Sequence, residues 1–208
     1  TSFELAQLTD TQELLRAIAA AFRERTKPSQ LCICRKNENR YSCVYATGEL
    51  DSPGNRRVAE EALGVFGKTA LTMPFMIPDR QHDESLGTYC WKDVSHLPCY
   101  CAVPLVADNE TIAIIQIFTE ASFAGAYDNE RSVLSALAGQ AAVALSNAEH
   151  YRQLSEKARL DGELDAARRI QRSLTPRDKP SIPHVNLKGI YQPAFEVGGD
   201  YLDYFPTD

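Results

Sequence analysis

Concentrated positive charge is missing from this sequence. Its 22 lysines and arginines are spread along 208 residues without forming a basic block, and the formal net charge is −6. A nucleic-acid-binding surface needs a basic patch that faces the phosphates, so we expect no nucleic-acid partner. The sequence also lacks any apolar run near the roughly 20 residues of a membrane-spanning helix. We therefore expect no membrane span.

A secretory signal is missing as well, because no basic start followed by an apolar run opens the chain. The first residue is not methionine, and we expect that the natural start has been trimmed. Six cysteines are present, but 208 residues with 44% hydrophobic content can bury a core without disulfides. We expect reduced thiols and a cytoplasmic protein.

Apolar periodicity predicts the first helix and four strands. Thr9 and Gln12 are expected to cap a helix that starts near residue 10. Its apolar face is formed by Leu14, Leu15, Ile18, Ala19 and Phe22. Two strands are predicted at 31–36 and 40–47, and two more at 99–106 and 111–119. The last two are nearly continuous apolar runs, which is typical of central strands buried on both faces.

An irregular stretch is predicted at residues 73–94, which contains two prolines and a charged middle. Long irregular segments in compact domains often carry function, so we expect a ligand pocket between this stretch and the sheet. Its candidate lining residues are Met73, Phe75, Met76, Tyr89, Cys90 and Trp91. An ordinary core covered by a loop is equally compatible with the pattern.

A helix of unusual length is predicted from about Asn129 to Leu174, because no proline interrupts the pattern before Pro176. Its apolar residues step by three and four in two series that do not share one heptad register, with Gly162 near the break. This favours a domain helix that runs into a coiled coil and makes a homodimer. A helix packed on its own domain throughout is the alternative.

Residues 99–154 carry a family pattern. A strand ends in Pro104-Leu105, a polar turn and a long apolar strand follow, Asp128 precedes a helix, and Ala-Leu-Ser-Asn-Ala ends at Ala148. In these features the sequence resembles the second half of a GAF domain, and the resemblance covers about residues 1–150. It implies an α+β fold, with an antiparallel sheet flanked by helices and a sensory role. Thr111-Ile112-Ala113 departs from the glycine that many members carry there.

A second pattern lies at the end of the chain. It consists of Ile170-Gln171, Leu174, Pro176, Tyr191, Pro193-Ala194 and Val197 to Tyr201. This order resembles the opening of SpoIIE-type (RsbU-like) metal-dependent serine/threonine phosphatase domains. The resemblance implies that Asp200 is a ligand in a centre of two manganese or magnesium ions, with Asp203 as a weaker candidate. Two such cations can activate a water and hold the phosphoryl oxygens in line.

The later motifs of that phosphatase family are absent, and one aspartate cannot hold a metal pair. We expect a GAF sensor at 1–149, a coiled-coil switch helix at 150–176, and the truncated first strand of a phosphatase domain at 177–208. The switch residues are expected to be Gly162, Ile170, Gln171 and Leu174. The chain itself is expected to be inactive. The parent enzyme would act on a phosphoserine or phosphothreonine protein, by family likeness an anti-sigma antagonist.

The ligand of the sensor is not assigned by these patterns, because the sequence has neither the cyclic-nucleotide motif nor the Cys-His pair of bilin-binding members. One alternative is a dimerisation module without a ligand. Another is a cysteine-based metal or redox sensor, since Cys32 and Cys34, like Cys99 and Cys101, alternate on predicted strands. If both pairs face the same side, four thiolates could gather around zinc or an iron–sulfur cluster. Cys90 is the candidate for an exposed reactive thiol.

Overall fold

The computed structural model describes residues 10–28, 30–38, 40–56, 63, 72–77, 99–120, 127–176, 178, 180–193, 195–200 and 202–205. These residues divide into two compact units, Thr1–His150 and Tyr151–Asp208. The predicted boundaries at 149 and 176 stay predictions, and each unit is described by itself.

The first unit begins with helix α1, Thr11–Thr26. The Asp10 carboxylate caps it by accepting a hydrogen bond of 2.7 Å from the backbone N–H of Gln12. The predicted cap at Thr9 is therefore wrong by one residue, and Thr9 itself lies outside the described residues. Lys27 caps the end of the helix: it takes the left-handed conformation with φ 44° and donates its N–H to the Arg23 carbonyl. All five predicted apolar-face residues are buried.

Five strands form one antiparallel sheet in the order β2-β1-β5-β4-β3. Their bounds are β1 Gln30–Asn37, β2 Arg40–Ala46, β3 Phe75–Ile77, β4 Cys99–Ala107 and β5 Glu110–Thr119, and a short 3₁₀ helix spans Gly48–Asp51. The four predicted strands are confirmed. Residues 75–77 were expected to be irregular, and this is wrong, because they pair with β4 as a three-residue edge strand.

The sheet is buried on both faces, as the apolar runs of β4 and β5 predicted. On β5, the odd-numbered residues from Ala113 to Ile117 face one hydrophobic core, and the even-numbered residues Ile114 and Phe118 face a second. The first core also contains the apolar side of α1. Neighbouring strands share these faces through their register, so the β5 partner of a residue tells which core it enters.

Helix α2 spans Tyr127–Leu174, which confirms the predicted long helix. Within the first unit its buried side chains join the same core as α1, namely Leu134, Ala138, Ala141, Ala142, Ala144, Leu145 and Ala148. An ion pair of 2.9 Å also joins Arg35 on β1 to Glu149 on α2.

The second unit contains the rest of α2, from Tyr151 onward, and the described residues of 175–205. The first strand that was expected within 177–208 is wrong for the described residues, which form no strand there; an isolated bridge joins Ile182 to Val185. A strand needs a neighbouring strand for its backbone hydrogen bonds, and the described residues of this unit provide none. Among the helices that the structure describes, none combines the length and the apolar character needed to cross a membrane.

Candidate functional site

The predicted pocket residues are only partly described. Met73 is 52% exposed and its sulfur accepts a weak contact of 3.5 Å from the Arg131 guanidinium. Phe75 packs on the second core, whereas Met76 is buried in the first, because neighbouring residues of β3 point to opposite faces. Tyr89, Cys90 and Trp91 lie outside the described residues. The pocket therefore stays a prediction, and Phe75 and Met76 contribute to different faces of the sheet.

The two cysteine pairs lie on opposite faces of the sheet. Cys32 and Cys34 pair across β1–β5 with Gln116 and Ile114, and they belong to the second core. Cys99 and Cys101 pair across β4–β5 with Thr119 and Ile117, and they belong to the first core. The condition for a site of four thiols, that both pairs face the same side of the sheet, is therefore not met, because the two pairs meet residues of opposite parity on β5.

A different thiol completes a cluster with the first pair. Cys43 lies on the edge strand β2, directly opposite Cys34. The sulfur atoms of Cys32, Cys34 and Cys43 all lie within 4.8 Å of one another. None of the five described cysteines is in a disulfide. We call these three residues the thiol cluster.

A glutamine amide is aimed at the thiol cluster. Gln116 is fully buried, and its Nε2 donates to the sulfurs of both Cys32 and Cys34 at 3.4 Å. Its Oε1 accepts a hydrogen bond of 3.3 Å from the Tyr100 hydroxyl, which fixes the orientation of the amide. The Tyr100 ring in turn packs on Phe118, with 5.1 Å between ring centroids.

Hydrogen bonds among the three thiols shift their acidity in opposite directions. Those from Cys32 and Cys34 lower the pKa of Cys43 to about 4, and the Arg56 charge acts in the same direction. The pKa of Cys32 is raised well above its ordinary value by its contact with Cys34, then by Cys43 and by burial. In the first core, burial alone raises the pKa of Cys101 to about 12. Cys43 is the only member of the cluster that is not fully buried.

In the second unit, one predicted switch residue makes a specific contact. The Gln171 side-chain amide donates from Nε2 to the Gly198 carbonyl at 2.5 Å. It also accepts at Oε1 from the Gly198 backbone N–H at 2.9 Å. The amide thus satisfies both backbone groups of one glycine. We call this pair of hydrogen bonds the Gln171 clamp.

The surroundings of the Gln171 clamp explain the glycine. A Cβ at residue 198 would lie 2.0 Å from the Tyr191 hydroxyl oxygen, so no side chain fits there. That hydroxyl donates to the Asp200 backbone carbonyl at 3.1 Å. One turn earlier on the helix, Arg168 donates from Nε to the Glu196 carbonyl at 3.0 Å and forms an ion pair with the Glu196 carboxylate. The segment that precedes Asp200 is therefore attached to the helix at two positions.

The remaining predicted switch and metal residues make fewer contacts. Ile170 and Leu174 are 61% and 63% exposed, and a Cβ at Gly162 would meet no atom within 4 Å. Asp200 is exposed, and the Asp203 carboxylate accepts a local hydrogen bond from the backbone N–H of Tyr204. Among the described residues, neither aspartate belongs to a group of three metal-ligating side chains. These residues alone do not fit a pair of divalent cations, and the predicted manganese or magnesium stays a prediction.

Comparison with known families identifies the first unit. The family model described as "GAF domain" matches residues 9–146, which is more than half of the chain. This chain belongs to the GAF domain family. No curated protein matches it significantly.

Solved structures agree with this family at the level of the fold. A GAF domain/HD domain protein from Geobacter sulfurreducens is 20% identical, with a TM-score of 0.56, covering 70% of this chain and 97% of that one. Residues 122 to 287 of a methyl-accepting chemotaxis protein are 18% identical, with a TM-score of 0.54 and coverages of 72% and 97%. Free methionine-R-sulfoxide reductase from Neisseria meningitidis is 17% identical, with a TM-score of 0.54 and coverages of 72% and 86%.

Three residues that make these contacts were not predicted from the sequence. Cys43 was read only as part of a strand, and Gln116 only as part of an apolar run. A glutamine in the middle of a buried strand was the available signal, because a buried amide needs partners. Arg168 carried no signal, since a charged residue on a polar helix face is ordinary.

Proposed function

We propose that this chain is the sensory and transmitting part of a signalling protein, in which α2 carries the state of the GAF domain to the segment that bears Asp200. The Gln171 clamp is the observation that carries this proposal. Gln171 was singled out by family likeness, and its amide holds the backbone of the Gly-Gly-Asp segment from the helix.

The clamp depends on the rotation of the helix. Successive residues of an α-helix differ by about 100° around the axis, so the Gln171 side chain extends from one side of the helix only. A rotation of the helix relative to the segment therefore moves the amide of Gln171 away from Gly198. Arg168 would leave Glu196 in the same movement, because residues three apart share one helix face. A helix that rotates or shifts therefore couples directly to the placement of this segment.

We further propose that the described residues after the helix begin a SpoIIE-type phosphatase domain, which uses Mn²⁺ or Mg²⁺ and acts on a phosphoserine or phosphothreonine protein. The order of residues from Ile170 to Tyr201 supports this assignment. The close approach at Gly198 supports it too, since the glycine is required by the Tyr191 hydroxyl. Asp200 would supply one of several carboxylates.

The test uses the longest natural form of the protein with Mn²⁺ and a phosphoserine peptide. We expect phosphate release that Asp200→Asn abolishes and that Gln171→Ala changes severalfold. Gln153→Ala, the same change elsewhere on α2, is the matched control and is expected to have no effect. Absence of phosphate release with either metal would contradict the phosphatase assignment. Equal rates for the Gln171 and Gln153 variants would contradict the coupling alone.

We propose that two copies of the chain associate through α2. Within the second unit, exposed apolar side chains on this helix form three pairs at spacings of three or four, and consecutive pairs are six residues apart: Tyr151 and Leu154, Leu160 and Leu164, Ile170 and Leu174. The last four lie on one side of the helix, and such a stripe is typical of a coiled-coil seam. Light scattering is expected to give a dimer that the double change Leu160→Glu and Leu164→Glu converts to a monomer. Lys157→Glu is the charge control, and a double variant that stays dimeric would contradict this interface.

A further inference from the structure

The thiol cluster has the geometry of a small metal site. Three ligands bound about 2.3 Å from a common metal in one plane lie roughly 4.0 Å from each other. The three sulfurs already lie within 4.8 Å of one another. Binding therefore requires each sulfur to move by no more than a fraction of an ångström, which side-chain torsions can supply.

The fold places these sulfurs together without a turn or a flexible loop. Cys32 and Cys34 are two residues apart on β1 and share one face. Cys34 is the direct partner of Cys43 on β2, and the pairing register shifts between Ile33 and Cys34. Two hydrogen-bonded strands therefore hold all three side chains on the same side of the sheet.

The buried amide of Gln116 favours electron-rich sulfur at this place. Its two N–H groups point at Cys32 and Cys34, and the Tyr100 hydroxyl holds the amide in that orientation. N–H donors directed at metal-bound sulfurs orient the ligands and stabilise their charge. The positive charge of Arg56 acts on Cys43 and Cys32 from outside the core.

Ligand number and ligand type decide which ion fits. Sulfur ligands select soft ions, chiefly Cu(I), zinc and iron–sulfur clusters, over magnesium or calcium. A structural zinc site takes four protein ligands, and the cluster within the described residues holds three. Cu(I) is a soft ion that three sulfurs can satisfy in a trigonal plane.

We propose that Cys32, Cys34 and Cys43 bind one Cu(I) ion in three-sulfur coordination on the sheet face opposite α1. Each thiol that binds loses its proton to solvent and forms one copper–sulfur bond, and no electron is transferred. Cys43 is partly exposed on the edge strand and provides the entry, whereas Cys32 and Cys34 complete the site from inside. This inference is independent of the phosphatase proposal.

The experiment is an anaerobic titration of the reduced chain with Cu(I) against a colorimetric Cu(I) chelator. We expect one equivalent of tightly held Cu(I), and Cys43→Ala and Cys34→Ala are each expected to lose at least about a hundredfold in affinity. Cys101→Ala is the matched control, because it removes a buried cysteine of the same spacing pattern from the opposite face. Its affinity is expected to equal that of the unchanged protein.

Cys43→Ala alters a partly exposed position and therefore keeps the core intact, which thermal unfolding of the metal-free variant would verify. Unchanged Cu(I) binding in both cluster variants would overturn the proposal, and so would loss of binding in Cys101→Ala. Tighter binding of Zn²⁺ than of Cu(I) in the same competition would overturn the assignment of the ion. A Cys34–Cys43 disulfide in peptide maps, together with no Cu(I) uptake after reduction, would overturn the metal site and would indicate a redox-active cysteine pair.

Discussion

The two Cys-x-Cys pairs of the sheet share a sequence pattern and differ in almost everything else. Cys32 and Cys34 lie beside a third thiol and the amide of Gln116. Cys99 and Cys101 lie among the aliphatic side chains of the first core. The difference comes from register, since one pair meets even-numbered residues of β5 and the other meets odd-numbered ones. Chemistry within a sheet is thus decided by strand pairing, and the same residue pattern gives a cluster or a plain core.

The largest expected contrast between the two faces is the rate of alkylation. In the reduced, metal-free protein we expect iodoacetamide to modify Cys43 at least about a thousandfold faster than Cys101, because Cys101 reacts only when the domain opens. Peptide mass mapping over time measures both rates in one sample. Denaturant is the control, in which the two rates are expected to converge. Similar rates in the native protein would mean that the face carrying Cys101 is not closed.

Elements that are buried along their whole length could be predicted from the sequence. Long apolar runs and helical periodicity predicted β4, β5, α1 and α2 because burial acts on every residue of those elements. Three residues of β3 are too few to give such a pattern. The choice between Thr9 and Asp10 as cap could not be made, because both residue types are good caps.

The thiol cluster could not be predicted for a different physical reason. Alternation along one strand shows which of its own residues share a face, but not which residues of another strand share that face. The parity of Cys32 relative to Cys101 is set by how β1 and β4 each pair with β5. For the Gln171 clamp, in contrast, the sequence indicated the residue Gln171 but not its contact, because the partner Gly198 lies 27 residues away.

A second, smaller contrast concerns alkaline pH. Burial raises the pKa of Cys101 from 9.0 to about 12 in the folded protein. At a pH below the pKa of the unfolded chain, the thiol is neutral in both the folded and the unfolded state, and its contribution to stability is fully present. Between these two values only the unfolded chain ionises, so the free energy of unfolding falls by about 1.4 kcal/mol for each pH unit gained.

Urea unfolding between pH 8 and 10.5 in wild type and Cys101→Ala measures this slope. The variant lacks the ionising group, so its free energy of unfolding is expected to fall less steeply than that of the wild type above pH 9. Because Cys32 and Cys34 stay in both proteins, the difference in slope isolates Cys101. Parallel curves would contradict a raised pKa at this face.

The smallest expected effect tests how the amide of Gln116 is held. Tyr100→Phe removes the hydroxyl that donates to Gln116 Oε1 and keeps the ring that packs on Phe118. Loss of one buried hydrogen bond is expected to lower the free energy of unfolding of the metal-free protein by about 1 kcal/mol. Tyr41→Phe, on the half-buried edge strand, is the control and is expected to change it by less than about 0.5 kcal/mol.

If the alkylation rate of Cys43 also changes in Tyr100→Phe while that of Cys101 does not, the hydroxyl, the amide and the thiols act as one network confined to a single face. An equal change at both cysteines would instead mean that the substitution loosens the whole sheet, and the contrast between its faces would not depend on the amide.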